Sequence, residues 1–181
     1  NRVIEKKGGL VAMKVISPEI SHKSDVGGVF LNINRLSEAE KAYEKISKLN
    51  QGRFSGILIQ KMVSEGKEVI LGANRDPSFG PVVLFGLGGI YVEAFKESSL
   101  RVAPINRLEA KEMIMELKAS QILRGIRGEK SLDIEALVEN LLRLSQLMID
   151  FPEIEGIDIN PVKALEKGAI AVDARILIKA N

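Results

Sequence analysis

The stretch Leu10–Ile33 holds two short apolar runs that a polar connector separates. Lys14 lies at the end of the first run, and the second run alternates apolar and other residues. The connector contains the only histidine of the chain, His22, and ends with the pair Gly27–Gly28. This pattern predicts a strand, a polar loop and a second strand. A lysine, an imidazole and glycine N–H groups are suited to binding phosphate.

Beyond this stretch the sequence alternates between strand and helix patterns. The predicted helices are Ser37–Leu49, opened by a Ser37–Glu40 capping box, a helix opened by Asn106, and Asp133–Met148, which has a broad apolar stripe. The predicted strands are 56–63, 68–74, 81–87, 156–164 and 169–177. Because short turns join neighbouring strands and no regular βαβ alternation occurs, we expect an α+β fold with an antiparallel meander.

Composition narrows the classes of function. A net charge of +2 and the presence of only two tyrosines, six phenylalanines and no tryptophan argue against nucleic-acid binding. The absence of cysteine excludes disulfides and thiolate metal sites, and we expect a cytoplasmic protein. No apolar run approaches the roughly 20 residues of a membrane span, so no membrane partner is expected.

Five segments give a more specific indication. They are KVISPEISHKSDVGGV, QKMVSEGKEVILGANRDPSFGPVVLFGLGGIYVE, RVAPI, GIDINPV and AVDARIL. In this order they resemble the ATP-grasp domain, or β subunit, of ADP-forming acyl-CoA synthetases such as acetyl-CoA synthetase, over nearly all of Leu10–Leu177. The resemblance implies an ATP-grasp fold of two α+β lobes, with the N-terminal part missing. It also implies a nucleotide-binding lobe at 1–63 with a phosphohistidine loop, and a Mg²⁺ lobe at 64–181.

The resemblance implies that His22 is phosphorylated during turnover and passes its phosphoryl group towards the nucleotide. A neutral imidazole is nucleophilic near pH 7, which suits this role. Lys23 and Ser24 are expected to steady the phosphate. Lys14 matches the family lysine that contacts nucleotide phosphate.

The same resemblance suggests how the nucleotide is bound. Gln60 and Val63 correspond by position to the hinge that binds adenine, and Glu68 to the acid that contacts ribose. Family members often have an acid where this chain has Gln60, so the preference between ATP and GTP stays open. Without the resemblance, these residues would indicate only an ordinary hairpin.

A Mg²⁺ site is predicted from Asn160 and Asp173. These residues lie on two late strands that a hairpin could bring together, and Mg²⁺ prefers one or two protein oxygens plus phosphate oxygens and water. In the resembling enzymes the ion lies at this position. Asp158 is expected to orient the imidazole of His22 without being a ligand of the ion.

The reaction implied is acyl-CoA + ADP + phosphate ⇌ acid + CoA + ATP, with Mg²⁺ and ATP/ADP as cofactors. The partner would be a CoA-binding α subunit or fused domain, in an α2β2-like hetero-oligomer. Two alternatives stay open: a non-catalytic ATP-grasp module fused to an acetyltransferase, and another ATP-grasp carboxylate ligase without phosphohistidine.

Several other residues have two possible roles at this point. The glycines Gly86, Gly88 and Gly89 indicate either a tight turn or a ligand contact. The basic loop with Arg124, Arg127 and Lys130 is either solvated or a phosphate or partner contact. The residues that are either structural or close to phosphate are Arg75, Glu93 and Arg101.

Overall fold

In this computed structural model the chain divides into two units, Asn1–Ser64 and Glu65–Asn181. The structure describes residues 10–17, 20, 23, 26–49, 55–89, 97–126 and 128–179. Each unit combines an antiparallel sheet with helices that pack on it. Within these ranges no helix has the length and apolar character needed to cross a membrane. The predicted α+β class is confirmed, whereas the functions of the two predicted lobes stay predictions.

The described residues of the first unit form a three-stranded antiparallel sheet with one helix. Its elements are β1 (Val11–Ile16), β2 (Val29–Ile33), α1 (Leu36–Leu49) and β3 (Gly56–Lys61), and β1 lies in the middle of the sheet. The core that joins the sheet to α1 consists of Val11, Met13, Val15, Ile33, Ala42 and Ile46. Because successive side chains of a strand point to opposite faces, Lys14 of β1 lies on the face that α1 does not cover.

The start of α1 differs from the predicted capping box. The helix begins one residue before Ser37, which is therefore inside the helix and does not pair with Glu40 as its cap. Glu38 instead accepts hydrogen bonds from the backbone N–H groups of Asn34 at 3.1 Å and Arg35 at 3.3 Å. These bonds, chiefly the one from Asn34, lower the pKa of the Glu38 carboxyl. A carboxylate here satisfies amides that have no helical partner.

The second unit is built on a six-stranded antiparallel sheet. Its elements are β4 (Lys67–Asp76), β5 (Gly80–Leu87), β6 (Ser98–Val102), α2 (Arg107–Met115), a 3₁₀ turn (Lys118–Ser120), α3 (Gln121–Arg124), α4 (Ile134–Asp150), β7 (Ile154–Ala164), β8 (Ala169–Ala171) and β9 (Ala174–Ile178). The strand order is β6–β5–β4–β7–β8, and β9 also pairs with β7. The predicted strand 169–177 is thus two strands, separated at Val172 and Asp173.

Helices α2 and α4 pack on one face of this sheet. The core residues they share with β4, β5 and β7 are Val69, Leu71, Val83, Phe85, Met113, Ile114, Leu137, Leu141, Met148, Ile157 and Val162. Burying each large apolar side chain contributes about 1.5–3 kcal/mol. The predicted apolar stripe of α4 is therefore core. Asn106 and Asp133, predicted to open helices, are the N-caps of α2 and α4.

A β-bulge in β7 lies at Asn160–Pro161. These two residues lie opposite the single residue Ile70 of β4. Side chains three residues apart in a regular strand point to opposite faces. Ile159 and Val162 nevertheless both contribute to the core, because the extra residue reverses the alternation.

Arg75 connects the end of α4 to the sheet. Its guanidinium donates to the backbone carbonyls of Met148 at 2.7 Å, Ile154 at 3.1 Å and Phe151 at 3.4 Å. Carbonyls at a helix C-terminus lack helical partners, and a cation there complements the helix dipole. The structure therefore gives Arg75 a structural role.

We predict that Arg75→Ala lowers the free energy of unfolding by about 2–3 kcal/mol, since several carbonyls lose a charged donor. Urea denaturation of the full-length protein measures this. Arg143→Ala is the matched control: Arg143 is exposed on α4, and the described part of the chain gives its side chain no hydrogen bond or ion pair. The control should change stability by about 0.5 kcal/mol at most. Equal losses in both variants would contradict the prediction.

A second prediction concerns pH. Asp133 accepts hydrogen bonds from the backbone N–H groups of Gly168 at 2.8 Å and Ala136 at 3.0 Å, and these, Gly168 first, lower the pKa of its carboxyl. A lowered folded pKa adds stability above the unfolded pKa of about 3.9, and this is lost as the pH falls through the folded pKa. The stability difference between wild type and Asp133→Ala should therefore shrink from about pH 6 to about pH 3 in denaturation curves. A constant difference would contradict it.

Candidate functional site

Two of the predicted nucleotide contacts share one face of the first sheet. Lys14 of β1 lies opposite Leu58 of β3, and Gln60 of β3 lies opposite Ala12 of β1. Lys14 and Gln60 are therefore diagonal neighbours on the face away from α1. Only 4% of the surface of Lys14 is exposed, so its charge is held inside the protein. Val63 follows the end of β3 and is half-buried.

The structure describes the end of the histidine connector, where it packs against β1. His22 and Ser24 lie outside the described residues, whereas Lys23 lies within a turn. The backbone N–H of Gly28 donates to the carbonyl of Lys23 at 2.7 Å. A Cβ on Gly28 would lie 2.6 Å from a side-chain carbon of β1, and Gly27 has a φ of +67°. Gly28 is therefore required by close packing against β1, and Gly27 by its backbone conformation.

Glu68 of β4 lies directly against the glycine-rich turn that follows β5. The backbone N–H of Gly88 donates to the Glu68 carbonyl at 2.7 Å, and a Cβ on Gly88 would lie 2.9 Å from the Cβ of Glu68. Gly89 has a φ of +61°, and a Cβ there would lie 3.0 Å from Oε2 of Glu68. Glycine is thus required at position 88 because the backbone lies close to Glu68, and at position 89 because its φ is positive.

Lys163 was not among the predicted site residues, yet it contacts one of them. Its Nζ lies 3.0 Å from Oε1 of Glu68, and the two residues are register partners on β7 and β4. Counting by alternation from Asn160 places Lys163 on the opposite face of the strand. The bulge reverses that alternation, and the sequence signal for it is Pro161, because proline within a strand marks an edge or a bulge.

Asn160 and Asp173 are neighbours in the structure. The backbone N–H of Asn160 donates to the Asp173 carbonyl at 3.1 Å, and Oδ1 of Asp173 accepts from the N–H of Ala174 at 3.1 Å. Asp173 lies in the gap between β8 and β9 rather than within one long strand. Asp158 is exposed on β7, opposite Arg175 of β9. The predicted proximity of the two late segments is present, and their role as metal ligands stays a prediction.

The oxygens available here suit Mg²⁺. Asn160 offers an amide oxygen and Asp173 a carboxylate, which are hard ligands of the kind this ion prefers. Among the described residues no three His, Cys, Asp or Glu side chains converge as a metal site. A Mg²⁺ ion that takes most of its ligands from phosphate and water needs no such cluster.

Arg101 pairs with a carboxylate within the second unit. Its guanidinium donates to both oxygens of Glu116, at 3.0 Å and 2.8 Å, and the Ser99 hydroxyl donates to Glu116 as well. Arg101 first, and Ser99 second, lower the pKa of the Glu116 carboxyl. This network joins β6 to the end of α2, which gives Arg101 a structural role.

The basic loop is also engaged locally. Lys130 pairs with Glu166 at 2.8 Å, and the guanidinium of Arg124 lies 2.8 Å from the sulfur of Met115. Arg127 and Glu93 lie outside the described residues. These contacts favour the structural interpretation of the loop over a phosphate contact.

Comparison with known proteins identifies the family. A family model of the ATP-grasp domain matches residues 1–178. Over 174 residues the chain is 49% identical to the β subunit of ADP-forming acetate–CoA ligase I from Pyrococcus furiosus, covering 93% of this chain and 75% of that subunit. The chain belongs to the ATP-grasp family of ADP-forming acetate–CoA ligase β subunits. The resemblance inferred from the motifs is confirmed.

The relatives differ in length. ADP-forming acetate–CoA ligase I from Archaeoglobus fulgidus is 49% identical over 181 residues, which cover 97% of this chain but 26% of that protein. The chain thus spans about a quarter of this ligase and about three quarters of the separate Pyrococcus β subunit.

Solved structures confirm the ATP-grasp fold. Acetyl-coenzyme A synthetase 1 from Ca. Korarchaeum cryptofilum, in complex with coenzyme A and Ca-AMPCP, matches with a TM-score of 0.86 and 44% identity, covering 93% of this chain and 76% of that chain. The same protein in complex with coenzyme A and Mg-AMPPCP matches with a TM-score of 0.80 and 43% identity, over the same shares of both chains. In this second complex, a phosphohistidine segment points towards the nucleotide-binding site.

We predict that Gly88→Ala destabilises this ATP-grasp domain by about 1–3 kcal/mol, because the new methyl group forces the turn away from Glu68. Thermal and urea unfolding of the full-length protein measure the loss. Gly72→Ala on β4 is the control, since its Cβ would meet the nearest atom at 3.6 Å and its φ is not positive. The control should be neutral or slightly stabilising. Similar losses in both variants would exclude the proposed role of close approach.

Proposed function

We propose that this chain is the ATP-grasp part of an ADP-forming acyl-CoA synthetase, for which acetate is the leading acid. The reaction is acyl-CoA + ADP + phosphate ⇌ acid + CoA + ATP. The observation that carries this proposal is the 49% identity to a separate acetate–CoA ligase β subunit across 93% of the chain. The enzyme is accordingly an acid–thiol ligase.

His22 carries the phosphoryl group in this proposal. In the direction of ATP synthesis, a neutral ring nitrogen of His22 attacks the phosphorus of a phosphohistidine of the partner, so that the partner's P–N bond breaks as a new P–N bond to His22 forms. A terminal oxygen of ADP then attacks the phosphorus, the P–N bond breaks, and neutral imidazole is regenerated. The support is the connector sequence SHKSDVGG and the phosphohistidine segment of the Korarchaeum enzyme.

The remaining residues bind and orient the nucleotide. Lys14 places an ammonium group at the phosphates, which offsets their charge. Gln60 and Val63 bind the adenine edge through side-chain and backbone groups, and Glu68 accepts hydrogen bonds from the ribose hydroxyls. Lys23 and Ser24 would steady the phosphoryl group on the connector. Positioning of this kind supplies much of the rate in phosphoryl transfer.

Asn160 and Asp173 would hold Mg²⁺ through their side-chain oxygens. The ion, when bound with the nucleotide, lowers the electrostatic repulsion between phosphate groups. The chemistry of these two donors, on residues joined by a backbone hydrogen bond, supports this choice. Asp158, on the same strand as Asn160, would orient the His22 imidazole.

The partner in this proposal is a CoA-binding α subunit or fused domain that performs the thioester chemistry. The separate β subunit of the Pyrococcus enzyme supports a partner of this kind. We propose an α2β2-like hetero-oligomer located in the cytoplasm.

The test is phosphorylation of His22. After the full-length protein is incubated with Mg-ATP, mass spectrometry should find acid-labile phosphate on His22. His22→Ala should lack the label and lose nearly all turnover, because the covalent carrier is gone, while nucleotide affinity stays within about twofold.

Ser24→Ala is the matched control in the same connector. It should keep the label on His22, since a hydroxyl that steadies the phosphate does not carry it. Nucleotide binding without any label, in the presence of the partner, would instead support a non-catalytic ATP-grasp module. Turnover retained in His22→Ala would support a ligase that forms an acyl phosphate directly.

A further inference from the structure

Lys163 and Glu68 form an ion pair whose two side chains are partly buried. The atoms Nζ and Oε1 lie 3.0 Å apart, with 16% of the Lys163 side chain and 34% of the Glu68 side chain exposed. Partial burial of this kind strengthens an ion pair relative to a fully exposed one. Lys163 therefore fixes one oxygen of the Glu68 carboxylate.

The other oxygen of Glu68, Oε2, lies beside the glycine-rich turn that follows β5. Oε2 lies beside Gly89, where an added Cβ would come within 3.0 Å of it, and the Gly88 N–H donates to the Glu68 carbonyl. A carboxylate has about four acceptor positions, of which Lys163 uses one on Oε1. The ion pair with Lys163 thus leaves the Glu68 carboxylate with the capacity to accept hydrogen bonds from two hydroxyls.

The bulge in β7 makes this contact compatible with the proposed metal site. Asn160 and Lys163 are three residues apart, which in a regular strand would place them on opposite faces. Ile159, Val162 and Ala164 all belong to the core side, so Asn160 and Lys163 both lie on the other face. One strand thereby supplies the proposed metal ligand and the partner of Glu68.

We propose that Lys163 is a positioning residue that orients Glu68 to accept both hydroxyls of a nucleotide ribose. The preference for a ribonucleotide over a 2′-deoxyribonucleotide then depends on Lys163. This inference rests on the proposed function, in which Glu68 contacts ribose. A purely structural ion pair would affect stability without affecting this preference.

The experiment measures the dissociation constants of Mg-ADP and Mg-2′-deoxy-ADP by calorimetry on the full-length protein. Lys163→Met keeps the length and apolar stem of the side chain but removes the charge. We expect the preference for ADP to fall about tenfold, the equivalent of one hydrogen bond to a charged group. Lys163→Arg should restore most of the preference, since it keeps the cation.

A double-mutant cycle connects the effect to Glu68. Glu68→Gln alone should reduce the preference for ADP, and adding Lys163→Met to it should change the preference little further. Additive effects of the two substitutions would overturn the proposal, because they would show that Lys163 does not act through Glu68.

Lys67→Met is the matched control. Lys67 also pairs across the fold, with Glu129 at 3.2 Å, and it is adjacent to Glu68 in the sequence. Its removal should leave the preference for ADP unchanged. Unfolding temperatures of all variants show whether each is folded, and Lys163→Gln, which also removes the charge, provides the test if Lys163→Met does not fold.

Two results separate this inference from the proposed function. If the wild type binds both nucleotides and the preference is the same in Lys163→Met, the role of Lys163 is wrong while the proposed function stands. If the wild type binds neither nucleotide, the proposed function is wrong and the inference falls with it.

Discussion

The pairing of β4 with β7 organises the second unit, and its irregularity matters as much as its hydrogen bonds. A regular strand assigns alternate side chains to core and solvent, so polar residues three apart would be separated. The extra residue at Asn160–Pro161 keeps Ile159 and Val162 in the core and brings Asn160 and Lys163 to the same face. The placement of Asn160 and Lys163 on one face depends on this bulge.

Charged side chains of the second unit also form hydrogen bonds with backbone groups at helix ends that have no helical partner. Arg75 donates to carbonyls at the end of α4, and Asp133 accepts a hydrogen bond from the N–H of Ala136 at its start. Arg101 fixes Glu116, just beyond the last residue of α2. In the sequence alone, Arg75 and Arg101 could be either structural residues or residues close to phosphate. Their hydrogen bonds to other parts of the second unit give them structural roles, so they are not included in the proposed nucleotide site.

Most elements could be predicted from local patterns, and the failures have local physical causes. The helix at Asp133 was predicted correctly because an N-cap and an apolar stripe are short-range signals. The cap at Ser37 was wrong because Glu38 offered the preceding amides a better acceptor. The strand 169–177 was wrongly predicted as continuous, because Asp173 is the only residue at the break of a type depleted in strands, and a single such residue does not by itself end a strand.

The sequence by itself determined the α+β class, the order of the elements and, through five motifs, the ATP-grasp family. Periodicity, caps and motif wording are properties of neighbouring residues, so they can be read without a structure. Only the tertiary structure decided which side chains meet. Lys163 reaches Glu68, and Gly88 approaches the same residue, because strands distant in sequence pair in one register. Strand register follows from packing across the sheet, which no local pattern encodes.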